Sequence, residues 1–105
     1  MEISGPVISS LALLLHEFAT NSTKYGALSA AAGRIQIHCA NHGETLVVTW
    51  TERGGPEVVP PTGNNGFGDL LVRTTIAGLG GEISRDWKPE GLVVQVSMPR
   101  ERLVA

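Results

Sequence analysis

Two pairs of alternating apolar segments most constrain the fold of this chain. In the first pair, residues 35–39 and 46–51 flank a polar turn, and in the second pair residues 83–87 and 92–98 do so. Because successive strand side chains point to opposite faces of a sheet, each pair predicts a β-hairpin with one apolar face.

Two further segments have helical patterns. Residues 6–25 repeat apolar side chains every three or four positions, with Pro6 suited to a first turn and Gly26 to a C-terminal cap. Residues 69–79 predict a second helix, ended by glycines that can take the left-handed conformation. The predicted apolar face of the first helix consists of Ile8, Leu11, Ala12, Leu14, Leu15, Phe18, Ala19 and Ser22. The order of elements predicts an α+β, two-layer sandwich, with an antiparallel or mixed sheet and both helices on one face.

Length and composition predict a single domain over residues 1–105 in a cytoplasmic protein. The net charge is −2 and no basic cluster occurs, which argues against nucleic acid as a partner. The longest apolar run, Leu11–Leu15, is too short to span a bilayer, so no direct membrane contact is expected. The single cysteine, Cys39, occupies an alternating strand position that predicts a buried thiol.

A polar stripe marks the end of the first helix. Glu17, Asn21 and Lys24 are four and three residues apart, with Thr20 between them, so helical geometry makes them surface neighbours. An acid, an amide and a lysine form a side-chain set that can hold a metal and phosphates. The alternative is the solvated side of an amphipathic helix.

A glycine-rich segment precedes the second helix. Five of the thirteen glycines lie between residues 54 and 68, and Gly66-Phe67-Gly68-Asp69 stands at the mouth of the helix. Free N–H groups and the positive end of the helix dipole make such a position suitable for an anion. The alternative is a long surface loop with turn residues.

A carboxylate at the end of a strand is the next candidate. Glu52 has the same strand parity as Leu46, Val48 and Trp50, so it faces the helices if they do. A carboxylate there must be paired or must meet a polar ligand group such as an adenine amino group. Trp50 is either a core aromatic residue or a ligand contact.

These residues resemble the HWE subfamily of bacterial sensor histidine kinases. Residues 13–29 are similar to its N box, residues 50–56 to its Trp-x-Glu box, and residues 66–68 to its second glycine box. Residues 79–81 and 90–99 fit the ending of the subfamily. The resemblance covers nearly the whole chain and implies the Bergerat-type ATP-binding fold.

The resemblance implies roles for the residues of the first helix. Asn21 would coordinate the Mg²⁺ that bridges the phosphates of ATP, and Lys24 would contact phosphate oxygens. Glu17 would be the catalytic base that assists the acceptor imidazole. His16 would act near phosphate or acceptor, or be a buried hydrogen-bonding residue. Tyr25 would lie at the edge of the site or only pack.

The resemblance also implies the nucleotide contacts of the later boxes. Glu52 would accept from the adenine amino group, directly or through a water. Glycines of the first box would lie against adenine, and amides of the second would meet the phosphates. The residues concerned are Gly54, Gly55, Gly66, Phe67 and Gly68. His38 and His42 match no box and are interpreted as a strand-face and a turn residue.

The implied activity is transfer of the ATP γ-phosphate to a histidine on a separate helical hairpin domain, with a response regulator downstream. The chain is therefore expected to be a fragment without that acceptor domain or a sensor domain. Absence of an earlier strand typical of the subfamily would expose a sheet edge and favour a homodimer. Alternatives are an ATPase or serine kinase of the same superfold, and a non-catalytic nucleotide-binding or interaction module.

Overall fold

The computed structural model describes residues 3–57 and 66–104, with residues 66–69 as backbone only. Within these residues the chain forms two α-helices and four β-strands in the predicted order. They are, along the chain, α1 (Gly5–Tyr25), β1 (Arg34–His42), β2 (Thr45–Arg53), α2 (Gly66–Gly78), β3 (Glu82–Lys88) and β4 (Gly91–Pro99). Short 3-10 helices follow α1 at Ala27–Ser29 and β4 at Arg100–Arg102.

The four strands form one sheet in the order β1-β2-β4-β3, and every neighbouring pair is antiparallel. Both predicted hairpins are confirmed, and their turns are tighter than the sequence suggested, with His42 paired to Thr45 and Lys88 to Gly91 beside the turns. The two hairpins join through β2 and β4, where Trp50 lies opposite Val94. Of the two sheet types expected, the antiparallel one is present.

Hydrogen bonds of capping residues mark both ends of the first helix. Ser4 is the N-cap, and its hydroxyl accepts a hydrogen bond from Val7 N at 3.3 Å. Pro6 lies in the first turn, where it has no helical hydrogen bond to lose. At the other end, the N–H of Gly26 donates to Ser22 O at 2.9 Å. The predicted boundaries of α1 are confirmed to within one residue.

The second helix begins three residues earlier than predicted. Gly66, Phe67 and Gly68 belong to α2, whereas the sequence placed the first helical residue at Asp69. The glycine penalty applies to helix interiors, and first-turn N–H groups have no intrahelical acceptor, so glycines are tolerated there. The helix ends as expected, with Gly80 in the left-handed region at φ 68°.

The core lies between the helices and one face of the sheet. From α1 it receives Val7, Leu14 and Phe18, together with the buried hydroxyl of Ser22. The remaining members come from α2 and the turn after it, the strands and the C-terminal segment: Leu46, Trp50, Val72, Ile76, Leu79, Val94, Val96, Met98 and Leu103. Two predicted members of the buried face of α1 lie outside it, while Leu11, Leu15 and Ala19 pack partly buried against the core. Ile8 is 55% exposed and Ala12 is also exposed.

The prediction of a buried Cys39 is wrong. Its side chain is exposed because β1 is an edge strand with a single neighbour in the sheet. An apolar cleft of about 110 Å³ between α1 and the sheet reaches Ile37 and Cys39, so α1 does not cover this end of β1. Alternation in a sequence identifies the face of a strand, but an edge position limits how deeply that face is buried.

Within the described residues, no helix combines the length and the apolar character that crossing a bilayer requires.

Candidate functional site

The polar stripe predicted on α1 lies off the buried face. Asn21, Lys24 and Tyr25 are exposed, and Glu17 is half-buried on the same helix. Within the described part of the chain, the Lys24 ammonium has no ion-pair partner, so it is available to an anion. His16 is exposed, which rules out the interpretation of a buried hydrogen-bonding histidine.

The Glu52 carboxylate lies just behind the end of this helix. It is 3% exposed, at the end of β2 and on the face that carries Leu46 and Trp50, as its strand parity predicted. Its Oε1 accepts hydrogen bonds from Ala27 N at 2.9 Å and from Ser22 Oγ at 3.2 Å. Its Oε2 accepts from Trp50 Nε1 at 2.9 Å. The buried charge is thus held by three protein donors, which offset the cost of its desolvation.

Trp50 combines a core role with a polar one. The ring is 4% exposed and meets Phe18 of α1 edge-to-face, with centroids 5.8 Å apart and an interplanar angle of 63°. The interpretation of Trp50 as a core aromatic residue is therefore confirmed. Because side chains two apart on a strand share a face, its indole N–H also reaches the Glu52 carboxylate.

A tight turn connects α1 to this carboxylate. Leu28 N donates to Ser22 Oγ at 3.1 Å, and Ser29 Oγ donates to Gly26 O at 2.6 Å. Gly26 is the C-cap of α1, as the sequence predicted, with a φ of −116°. Glycine is required there for space, because a Cβ would collide with Glu52 Oε1.

The first glycine pair has a structural role that is visible in the fold. A Cβ on Gly55 would lie 2.9 Å from Ala27 N, and one on Gly54 would collide with the carbonyl of Ala32. Gly54 also has a φ of 80°, which disfavours any side chain. These glycines let the end of β2 approach the segment that follows α1. Their contact with adenine stays a prediction.

The second glycine box is described only as backbone. Gly66, Phe67 and Gly68 form the beginning of α2, which contacts α1. The middle of the glycine-rich segment, around Gly63, lies outside the described residues. The structure therefore brings together the end of α1, the turn after it and the end of β2, while phosphate contacts by residues 66–68 stay a prediction.

Two cavities lie away from these candidate residues. One of about 410 Å³ is bounded by α2 and β3, and the other is the apolar cleft of about 110 Å³ beside β1. Neither is lined by a residue of the polar stripe or by Glu52.

Sequence reasoning missed two members of the Glu52 network. Ser22 was assigned to the apolar face of α1 only as a small residue, yet the residue is 1% exposed and its hydroxyl is bonded on both sides. Ala27 contributes through its backbone N–H, which no side-chain pattern encodes. A hydroxyl within an otherwise apolar face was the available signal, since buried polar groups require partners.

Comparisons with known proteins agree with this architecture. The chain is 38% identical over 101 residues to blue-light-activated histidine kinase 1 of Erythrobacter litoralis strain HTCC2594, covering 94% of this chain. The solved histidine kinase domain of the E. litoralis EL346 blue-light activated histidine kinase superposes with a TM-score of 0.74 at 26% identity, covering 91% of this chain and 48% of that one. The catalytic domain of histidine kinase ThkA shares the fold, with a TM-score of 0.68 at 19% identity over 88% of this chain and 67% of that one.

The similarity concerns one region of larger proteins. The chain spans 28% of the length of the Erythrobacter relative, and 29% of a blue-light-activated histidine kinase from Rhizobium johnstonii to which it is 33% identical. No protein-family model matches the chain.

An antiparallel four-stranded sheet with two helices is the α+β fold of GHKL-type catalytic domains. The similarities in sequence and the ordered boxes point to a particular branch of that class. In sequence and fold the chain is similar to histidine kinase catalytic domains of the HWE type.

Proposed function

We propose that this chain binds ATP in the presence of Mg²⁺ and positions the γ-phosphate for transfer to a histidine on a separate helical hairpin domain. The observation that carries the proposal is the Glu52 carboxylate, which is buried but retains acceptor capacity beside the polar end of α1. A donor on an adenine ring is the complement of such a group. This proposal makes residues 1–105 one catalytic unit, with a cytoplasmic location and a response regulator downstream.

The donor set at the end of α1 fits the metal and the phosphates. Asn21 presents an exposed amide oxygen four residues from the half-buried Glu17 carboxylate, and Mg²⁺ prefers oxygen ligands while keeping several waters. Asn21 would hold the ion, which when bound supplies charge neutralisation between the phosphates. Lys24, exposed and without an ion pair among the described residues, would contact phosphate oxygens.

Other residues of the chain orient the adenine ring, handle the proton of the acceptor and border the phosphates. Glu52 orients the adenine ring, and the backbone N–H of Ala27 holds one oxygen of that carboxylate. Glu17 accepts or orients the proton of the acceptor imidazole, since phosphoryl transfer depends mainly on positioning and electrostatics. His16 and Tyr25, both exposed on the same stretch of α1, border the phosphate side of the site.

The test is calorimetric titration with ADP and ATP, with and without Mg²⁺, on the wild type, Asn21→Ala and Asn41→Ala. Asn41 is the matched control, an exposed asparagine on β1 outside the candidate site. We expect Mg²⁺ to tighten ATP binding to the wild type and to Asn41→Ala but not to Asn21→Ala. Binding of neither nucleotide by the wild type would overturn the proposal, and an unchanged Mg²⁺ effect in Asn21→Ala would overturn the metal assignment.

Assays of phosphate transfer and of phosphate release distinguish the proposed kinase function from its alternatives. Incubation with labelled ATP and a separately supplied acceptor hairpin from a histidine kinase is expected to label the acceptor on histidine. Steady release of phosphate without any acceptor would instead support an ATPase. Nucleotide binding with neither reaction would support a non-catalytic binding module.

A further inference from the structure

The hydroxyl of Ser22 joins three separate segments at the back of the candidate site. It donates to Glu52 Oε1 at 3.2 Å and accepts from Leu28 N at 3.1 Å, so it links α1 to β2 and to the turn that follows α1. Ser22 is 1% exposed, which excludes water as a substitute partner. The position of the Glu52 carboxylate therefore depends on a residue that faces away from solvent and from the polar stripe.

The donors around Glu52 leave it with one direction for a ligand. An ionised carboxylate has about four lone-pair sites, two on each oxygen. Ala27 N and Ser22 Oγ occupy both sites of Oε1, and Trp50 Nε1 occupies one site of Oε2. No donor of a described residue takes the second site on Oε2, and the direction of that site is set by the donors that fix the other three.

We propose that Ser22 and Trp50 are positioning residues that orient the remaining acceptor site of Glu52 Oε2. This orientation selects a purine with an exocyclic amino group at carbon 6 over a purine with a carbonyl at that position. The proposal rests on the proposed function, since it requires a nucleotide at Glu52. A 6-amino group donates to the aimed oxygen, whereas a 6-carbonyl oxygen places two acceptors against each other and leaves a buried charge without its partner.

The chain offers conservative variants that each remove one donor. Trp50→Phe keeps an aromatic ring against Phe18 but removes the indole N–H, and Ser22→Ala removes only the oxygen. Once either donor is removed, the Glu52 carboxylate can rotate. It can then accept a hydrogen bond from a 6-amino group, or turn away from a 6-carbonyl oxygen, in more than one orientation. We expect each variant to reduce the ratio of inosine diphosphate to adenosine diphosphate dissociation constants by about tenfold, equivalent to ~1.4 kcal/mol.

Two matched variants separate positioning from general loss of stability. Ser29→Ala removes a hydroxyl from the same turn, but that hydroxyl bonds Gly26 O and does not touch Glu52. Trp87→Phe removes the indole N–H of a half-buried tryptophan on β3. Both are expected to keep the wild-type selectivity ratio, even where they lower the melting temperature.

The experiment is titration of the full chain and these four variants with adenosine and inosine diphosphates, with circular dichroism as the check on folding. A ratio that falls in Ser22→Ala and Trp50→Phe, and stays in the controls, supports the proposal. A ratio that stays at the wild-type value in folded Ser22→Ala overturns it, and so does an equal fall in all four variants. Failure of the wild type to bind either diphosphate overturns the proposed function as well, whereas tight but unselective binding overturns the selectivity proposal alone.

Discussion

Glu52→Gln should destabilise this protein through one specific contact. The side-chain carbonyl of glutamine can still accept from Ala27 N and Ser22 Oγ, but its NH₂ group then takes the place of Oε2. Two donors, the amide NH₂ and the indole N–H of Trp50, would face each other where the present distance is 2.9 Å. The substitution thus removes a hydrogen bond to a charged group and buries two donors without an acceptor.

The magnitude follows from that single loss. Hydrogen bonds to charged groups contribute about 1.5–3 kcal/mol, so we expect the free energy of unfolding to fall by about 2 kcal/mol. For a domain of this size, ~1 kcal/mol shifts the melting temperature by about 4–8 °C, so a decrease of about 8–16 °C is expected. Urea unfolding followed by circular dichroism gives the free energy, and calorimetry gives the melting temperature.

A double-mutant cycle with Trp50→Phe identifies the contact. When Trp50→Phe is already present, no indole donor opposes the new amide, so Glu52→Gln should cost about 1–2 kcal/mol less than in the wild type. Glu44→Gln, at an exposed turn position, is the matched control and should stay within about 0.5 kcal/mol of the wild type. A Glu52→Gln protein as stable as the wild type, or an equal loss in both backgrounds, would refute the reasoning.

Three further predictions concern the scaffold. Gly91→Ala should lower the free energy of unfolding by about 2–5 kcal/mol, because the φ of Gly91 is 147° and a Cβ would collide with Glu52 O. Gly43, at φ 65°, has open space around it, so Gly43→Ala should lower the free energy of unfolding by only about 1–2 kcal/mol. Equal losses in urea unfolding would contradict this difference. Cys39 should react with a thiol-specific chromogenic reagent in the native protein as fast as in urea, and protection without denaturant would contradict its exposure. Ser4→Ala should cost about 1 kcal/mol through loss of the N-cap of α1, and unchanged urea unfolding would show that the cap is dispensable.

Local patterns were sufficient to predict the elements and their order. The period-two alternation of the two hairpins and the helical repeat of residues 6–25 report which side of each element is apolar, and that side is set by the chain itself. The same patterns misjudged Cys39 and the breadth of the buried face of α1, because both depend on how much of a face the neighbouring element covers. The start of α2 was missed because glycine was interpreted as loop, although a first turn tolerates it.

The candidate site, like the fold, was predicted only in part from the sequence. Residues of the polar stripe and Glu52 were found from spacing and parity, and the structure puts Asn21 and Lys24 in solvent and Glu52 in the core as expected. Gly26 was predicted as the cap of α1, and the structure adds that the approach of Glu52 from β2 excludes a Cβ there. The roles of the candidate residues toward ATP and Mg²⁺ stay predictions until the titrations are done.

The sequence by itself determined which faces are apolar, where the helices and hairpins form, and which polar residues lie together on α1. The tertiary structure alone decided that Ser22, Ala27 and Trp50 meet at one carboxylate. Ser22 and Glu52 are thirty residues apart, and the donor of Ala27 is a backbone group, so no local periodicity encodes their contact. Burial is the physical reason for the difference: a carboxylate that leaves water must collect donors from whichever segments the packed sheet and helices bring to it.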